Sequence, residues 1–116
     1  RIDHPGMFLN DTRLALDIIE AVDSPRLQLL FDVYHSMVME EEMEEVLGGR
    51  MHRVGHVQIA QAPDRNEPDP RSGEWPALIA RLQRLGYNGA IGLEYKPSLP
   101  AAASVARARE ATGLSC

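Results

Sequence analysis

The sequence predicts an α/β fold in which parallel strands alternate with helices. Short apolar runs of strand length alternate with longer segments whose apolar residues recur at helical spacing, in the order helix, strand, helix, strand, helix, strand, helix. This alternation is typical of parallel strands joined by right-handed crossovers, with the helices packed outside the sheet. No repeat, low-complexity tract or linker divides the 116 residues, so residues 1–116 are expected to form one domain with a single core.

Capping residues and apolar spacing define the individual elements. Side-chain oxygens that can cap a helix precede the first helical segment, and glycine or a serine–proline pair ends the first three. The predicted helices run from the caps at 10–12 to Ser24, over 37–47, from Trp75 to Gly86 and over 100–112. The predicted strands are residues 27–33, 54–60 and 90–95. Residues 63–73 are too polar and too rich in proline for regular structure, and they are interpreted as an active-site loop.

Composition excludes several classes of protein. The net charge is −5 and the basic residues are scattered rather than arranged in a stripe, which disfavours nucleic acid as a partner. The one cysteine, Cys116, excludes a disulfide framework and a cysteine metal cluster. No apolar run approaches the roughly 18 residues of a membrane span, and no signal peptide is visible. The expectation is therefore a cytoplasmic enzyme or binding domain without membrane contact.

One oxygen-bearing side chain lies near the carboxyl end of each predicted strand. These side chains are Asp32, Gln58 and Glu94. Neighbouring strands are about 4.8 Å apart and ligands bind at the carboxyl edge of parallel sheets, so the three can converge on one point. Their hard oxygen atoms suit Mg²⁺ or Mn²⁺. For any one of them alone, a structural role as a helix cap or hydrogen-bond acceptor is the more common explanation; three on successive strands favour a site.

Further polar residues lie near this predicted edge. His35 follows Asp32 closely and is a candidate nitrogen ligand or substrate contact. Lys96 lies two residues after Glu94, on the same face by strand alternation, and could bind an anionic substrate; a solvent-exposed ion pair is the equal alternative. Arg65 and Glu67 lie in the polar loop, where ordinary solvated charges are the simpler explanation.

Four motifs in order resemble the hydroxypyruvate isomerase family, which belongs to the xylose-isomerase-like (β/α)₈ barrels. They are LLFDVYH at 29–35, GHVQIA at 55–60, PDRNEP at 63–68 and LGYNGAIGLEYKP at 85–97. The resemblance extends from about Gly6 to Pro97 and does not involve the last helix. It implies that the chain is the C-terminal portion of a TIM barrel, with three parallel strands alternating with four helices.

The resemblance also implies roles for individual residues. Asp32, Gln58 and Glu94 correspond to metal ligands, and Glu94 to one of two catalytic glutamates as well. His35, Arg65, Glu67 and Lys96 then line the substrate pocket. The implied reaction interconverts hydroxypyruvate and tartronate semialdehyde, or a related 2-oxo acid pair, by proton transfer through an enediolate. The alternative on the same fold is a sugar or sugar-phosphate epimerase or isomerase. Arg65 and Lys96 favour a substrate with a carboxylate, although they would hold a phosphate nearly as well.

Two departures from the family pattern affect these expectations. Asn66 stands where the family usually has histidine; asparagine cannot carry a proton, so an acid role at this position is not carried over. Only three strands are predicted, whereas a closed barrel has eight over about 250 residues, and the other glutamate of the family would precede Arg1. The chain is therefore expected to be a fragment, with a homo-oligomer as the other way to complete a sheet. The hypothesis of a different class is a truncated, non-catalytic chain that associates or binds a ligand only.

Overall fold

Three parallel strands form one sheet, and five α-helices pack against it. The computed structural model describes residues 8–114; the start of the family-like segment at Gly6 and the single Cys116 lie outside that range. Two single-turn 3₁₀ helices, Met51–Arg53 and Pro70–Ser72, complete the regular structure of the described residues. The strands are β1 (Leu29–Asp32), β2 (Val54–Ile59) and β3 (Ile91–Leu93), and the helices are α1 (Thr12–Val22), α2 (Val33–Val38), α3 (Met43–Leu47), α4 (Trp75–Arg84) and α5 (Ala101–Thr112).

The strands lie in chain order, β1-β2-β3, and both pairs are parallel. This confirms the parallel α/β arrangement predicted from the alternation of elements. All three strands are shorter than predicted because regular pairing ends before the apolar runs do. At β1, for example, the carboxylate of Asp32 accepts a hydrogen bond of 3.0 Å from the backbone N–H of Tyr34, so the chain turns into α2 directly at Val33.

The predicted single helix over residues 37–47 is wrong. The structure has two shorter helices, α2 and α3, separated by a turn in which Glu40 adopts a φ of 57°. The turn brings Glu41 to the start of α1, where its carboxylate accepts hydrogen bonds from the Thr12 backbone N–H at 3.0 Å and from the Thr12 hydroxyl at 2.7 Å. Residues 8–114 thus contain five α-helices where four were predicted for the chain. The break lets an acidic side chain accept from one of the unpaired N–H groups at the start of another helix.

The predictions for α1, α4 and α5 are confirmed closely. Asp11 caps α1 through hydrogen bonds from two backbone N–H groups. At the end of α4 the Gly86 N–H donates to the Gln83 carbonyl and the Tyr87 N–H to the Leu82 carbonyl, both at 3.0 Å. This is the Schellman arrangement, and Gly86 meets its requirement for positive φ with a value of 100°.

Among the residues that the structure describes, helices cover one face of the sheet and leave the other open. Phe31, Val57 and Ile59 point to the covered face and are at most 2% exposed. They pack with apolar side chains from the helices, and Trp75 at the start of α4 is completely buried among them. On the opposite face Leu30 is half exposed. Within residues 8–114, no helix is long and apolar enough to cross a membrane.

Candidate active site

The open face of the sheet carries Asp32, Gln58 and Glu94. Asp32 lies directly opposite Gln58 in the register of β1 and β2, and Gln58 lies opposite Gly92 in that of β2 and β3. Glu94 is two residues beyond Gly92 and therefore shares this face by strand alternation. Its backbone N–H donates to the Ile59 carbonyl at 3.3 Å, which holds it beside the end of β2. The three side chains that sequence reasoning selected thus share one face at the carboxyl edge of the sheet.

The guanidinium of Arg65 joins two of these side chains. Its Nη2 atom donates to Glu94 Oε2 at 2.8 Å and lies 3.6 Å from Asp32 Oδ2. The Arg65 and Asp32 side chains are 16% and 12% exposed, whereas that of Glu94 is 56% exposed. Asp32 and Arg65 are therefore shielded from water, and Glu94 is the carboxylate that solvent or a substrate can reach.

Several contacts hold Arg65 in place. Its backbone adopts a φ of 59°, a conformation that residues other than glycine adopt rarely. Its carbonyl accepts a hydrogen bond of 2.7 Å from the Lys96 N–H. Its guanidinium carbon lies 5.2 Å from the centre of the Tyr34 ring, within the range of a cation–π contact. The Tyr34 hydroxyl in turn donates to the Pro63 carbonyl at 3.3 Å, next to the cis Ala62–Pro63 peptide bond.

Asp32 serves both as a helix cap and as a charged group of the site. Its Oδ1 atom caps α2 through the Tyr34 N–H, while its Oδ2 atom lies 3.7 Å from His35 Nε2 as well as 3.6 Å from Arg65. The His35 ring packs edge-on against Tyr34, with 5.2 Å between ring centres. His35 therefore lies beside Asp32, and its role as a nitrogen ligand or substrate contact stays a prediction.

Glu67 is directed away from this cluster. It is 2% exposed, and its carboxylate accepts hydrogen bonds from the Ser98 hydroxyl at 2.6 Å and from the Ser98 backbone N–H at 2.9 Å. These bonds lower the pKa of Glu67 from 4.5 to about 2. A buried hydroxyl, that of Ser104, donates to the Tyr95 hydroxyl at 2.8 Å nearby. Glu67 thus ties the loop after β2 to the segment after β3.

Sequence reasoning missed Ser98 as the partner of Glu67. The two residues are 31 positions apart, and a lone serine after a proline carries no pattern that would indicate the contact. Lys96 contributes its backbone N–H to the cluster rather than its charge: its side chain is exposed, and within residues 8–114 the ammonium group forms no ion pair.

The donor atoms of the site agree with a hard divalent cation. Two carboxylates and an amide supply oxygen donors, which Mg²⁺ and Mn²⁺ prefer. The two carboxylates already converge on one positive group, the Arg65 guanidinium, which balances part of their charge. No cluster of three or more histidine, cysteine, aspartate or glutamate side chains forms within residues 8–114. Asp32, Gln58 and Glu94 therefore supply at most a partial set of ligands for such a cation.

Residues 2–112 match the family model of the xylose isomerase-like TIM barrel. The chain belongs to this family. A TIM barrel places its active site at the carboxyl ends of the strands, which is the edge where Asp32, Gln58 and Glu94 lie. The face that carries them corresponds to the barrel interior, and the helix-covered face to its outer layer.

Relatives of this TIM barrel include named isomerases. The chain is 37% identical over 95 residues to the hydroxypyruvate isomerase of Escherichia coli K12, a match covering 82% of this chain and 37% of the relative. It is 38% identical over 95 residues to the 2-oxo-tetronate isomerase of Cupriavidus necator, covering 82% of this chain and 36% of the relative. A crystal structure of AP endonuclease, family 2, from Brucella melitensis superimposes with a TM-score of 0.80 at 30% identity, covering 90% of this chain and 41% of that one.

The chain spans a little over a third of the length of the curated relatives it matches. The three strands within residues 8–114 are likewise three of the eight in a closed TIM barrel. The two proportions agree, which supports the prediction that these strands are consecutive strands of such a barrel.

Proposed function

We propose that the protein carrying this chain is a divalent-metal-dependent isomerase that interconverts hydroxypyruvate and tartronate semialdehyde, or a related 2-oxo acid pair. The observation that carries the proposal is the meeting of Asp32 and Glu94 at Arg65, beside Gln58, on one edge of the sheet. The names of the relatives, hydroxypyruvate isomerase and 2-oxo-tetronate isomerase, support a 2-oxo acid as the substrate class.

Asp32, Gln58 and Glu94 would hold the cation. When bound, Mg²⁺ or Mn²⁺ would supply Lewis-acid stabilisation of negative charge that develops on the substrate oxygens. Asp32 is already oriented for this role, because the Tyr34 N–H fixes one of its oxygens and leaves the other facing the cluster.

Glu94 is the proposed acid–base group of this chain. Its carboxylate would take the proton from the hydroxymethyl carbon next to the ketone and return it to the former ketone carbon. The proton of the hydroxymethyl oxygen would move to the former ketone oxygen, and the two transfers together convert the 2-oxo acid into the aldehyde acid. The exposure of its side chain leaves it accessible to a substrate. Arg65 would position it, because their hydrogen bond limits the directions that the carboxylate can take.

The positive groups next to Glu94 suit the carboxylate of the substrate. Arg65 uses Nη2 for Glu94, and a guanidinium has further N–H donors in a planar fork that matches a carboxylate. The exposed Lys96 ammonium lies on the same segment as Glu94. Together they would supply positive charge to a 2-oxo acid bound beside Glu94.

The test uses the polypeptide as its gene encodes it. Hydroxypyruvate is incubated with the purified protein and Mn²⁺ or Mg²⁺, and the formation of tartronate semialdehyde is followed by NMR. Turnover that disappears with EDTA and returns with the metal is the expected result. If neither hydroxypyruvate nor related 2-oxo acids react, the proposal is wrong; epimerisation of a sugar or sugar phosphate under the same conditions would support the alternative reaction on this fold.

Replacing Glu94 tests the assigned base. Glu94→Gln should reduce turnover by at least about a hundredfold, because general acid–base catalysis contributes on the order of 10²–10⁴ in rate. The far-UV circular dichroism spectrum should stay unchanged, because the side chain is more than half exposed. Glu110→Gln, which alters an exposed carboxylate on α5, is the matched control and should keep full turnover. Wild-type turnover in Glu94→Gln would remove Glu94 from catalysis.

A further inference from the structure

Arg65 lies where the carboxylates of the proposed cation site meet. One atom, Nη2, is within 3.6 Å of both Asp32 Oδ2 and Glu94 Oε2. Two carboxylates on one edge of a sheet repel each other unless a positive charge lies between them. In this structure the guanidinium provides that charge, and it is what allows Asp32 and Glu94 to approach the same point.

The position of the guanidinium is built into the fold. The backbone of Arg65 is held at positive φ with its carbonyl bonded to the Lys96 N–H. The guanidinium lies against the Tyr34 ring, and its side chain is only 16% exposed. An arginine so constrained differs from a surface ion pair, which solvent disrupts easily.

A divalent cation would need the same carboxylate oxygens. A guanidinium that is hydrogen bonded to Glu94 occupies an oxygen lone pair that Glu94 would need to bind a metal. The guanidinium and the divalent cation are also both positive, so they repel each other when they lie at the same point. We propose that Arg65 is a built-in counter-ion that competes with the divalent cation for Asp32 and Glu94. It holds the site together without the cation, and it weakens cation binding. This inference rests on the proposed function, because that function supplies the cation.

The test measures Mn²⁺ binding in the absence of substrate. Free Mn²⁺ is quantified by electron paramagnetic resonance during titration of the metal-free protein as encoded by its gene. Arg65→Gln should bind Mn²⁺ about tenfold more tightly than wild type, since a hydrogen bond to a charged group contributes roughly a tenfold or larger factor to an equilibrium. Mn²⁺ should also raise the melting temperature more in this variant than in wild type, because the variant lacks the competing counter-ion.

Two further variants separate competition from a general change of charge. Arg50→Gln removes an arginine that forms an ion pair with Asp17 at 2.7 Å. Arg50 precedes the first residue of β2 and therefore lies at the opposite end of the sheet from the site. The Arg50→Gln variant should bind Mn²⁺ like wild type. Arg65→Lys keeps the positive charge but loses the planar guanidinium. The Mn²⁺ affinity of this variant should lie between those of wild type and Arg65→Gln.

The outcomes distinguish the two proposals. Mn²⁺ binding in wild type with equal or weaker binding in Arg65→Gln would overturn the competition while leaving the proposed function intact. An equal gain in Arg50→Gln would also overturn it, because the effect would then be one of net charge. If no variant and no wild-type sample binds Mn²⁺, the metal dependence of the proposed function fails, and the competition fails with it.

Discussion

At the scale of single residues, Asp32 accepts the Tyr34 N–H with one carboxylate oxygen and faces Arg65 and His35 with the other. From sequence alone, a helix cap and a metal ligand are alternative roles for an aspartate at a strand end. The structure shows that one carboxylate can combine a cap with a place in a charged cluster, because its two oxygens point to different partners. The cap also explains why Asp32 has a fixed orientation.

Glu67 makes the fold sensitive to acid. Its pKa is lowered to about 2 by the Ser98 hydroxyl and backbone N–H. Since the folded-state pKa lies below the ordinary value of 4.5, the ionised carboxylate stabilises the fold above about pH 4.5, and this stabilisation is lost as the pH falls toward 2. We predict that Glu67→Gln flattens the decrease in free energy of unfolding between these pH values, as measured by urea denaturation.

Glu44 provides the control for this experiment. Its pKa is also lowered to about 2, mainly by the Arg81 guanidinium, but it forms an exposed ion pair. At about 1 M salt the screening length is only about 3 Å, so the contribution of Glu44 should decrease while that of the buried Glu67 persists. If Glu67→Gln and wild type lose stability in parallel from pH 4.5 to 2 at high salt, the assigned role of Ser98 is wrong.

At the scale of elements, capping residues in the sequence predicted where helices begin and end, whereas contacts between distant residues determined the break between α2 and α3. The cap Asp11 and the stop Gly86 act on neighbouring residues, so a sequence pattern reveals them. The break between α2 and α3 depends on Glu41 reaching Thr12, 29 residues away, and no periodicity within 37–47 indicates it. The edge position of the site was predictable because parallel topology alone brings strand ends together.

The end of α4 provides a test of one local signal. Gly86→Ala should lower the free energy of unfolding by about 1–2 kcal/mol, because a side chain at its φ of 100° is strained. Chemical denaturation measures the loss. Gly86→Asn should lose less, since asparagine tolerates positive φ better. An alanine variant as stable as wild type would mean that the Schellman turn does not need glycine.

At the scale of the whole molecule, the sheet has one face against helices and one face open. The open face combines the polar site at its carboxyl edge with the half-exposed Leu30, and β1 and β3 are both edge strands within the described residues. In a complete TIM barrel, further strands pair with such edges and enclose this face. A three-stranded portion alone leaves both unpaired.

We therefore predict that a polypeptide limited to residues 1–116 self-associates through this face. Light scattering after size exclusion should give a mass above 12.9 kDa that grows with concentration, because unpaired edges and exposed apolar surface promote association. Leu30→Asn should weaken the association. Val22→Asn, which alters an exposed apolar side chain at the end of α1, should not. A monodisperse monomer at all concentrations would contradict the prediction.

In the loop after β2, the residues on both sides of Asn66 are held by hydrogen bonds. The residue before it is bonded through its carbonyl to Lys96, and the residue after it, Glu67, is bonded through its carboxylate to Ser98. The backbone on both sides of Asn66 is therefore anchored to the segment after β3, which contains Lys96 and Ser98. We therefore expect a change of the Asn66 side chain to disturb this backbone little. Histidine, which the family resemblance implies at this position, is therefore expected to replace Asn66 at little cost in folding.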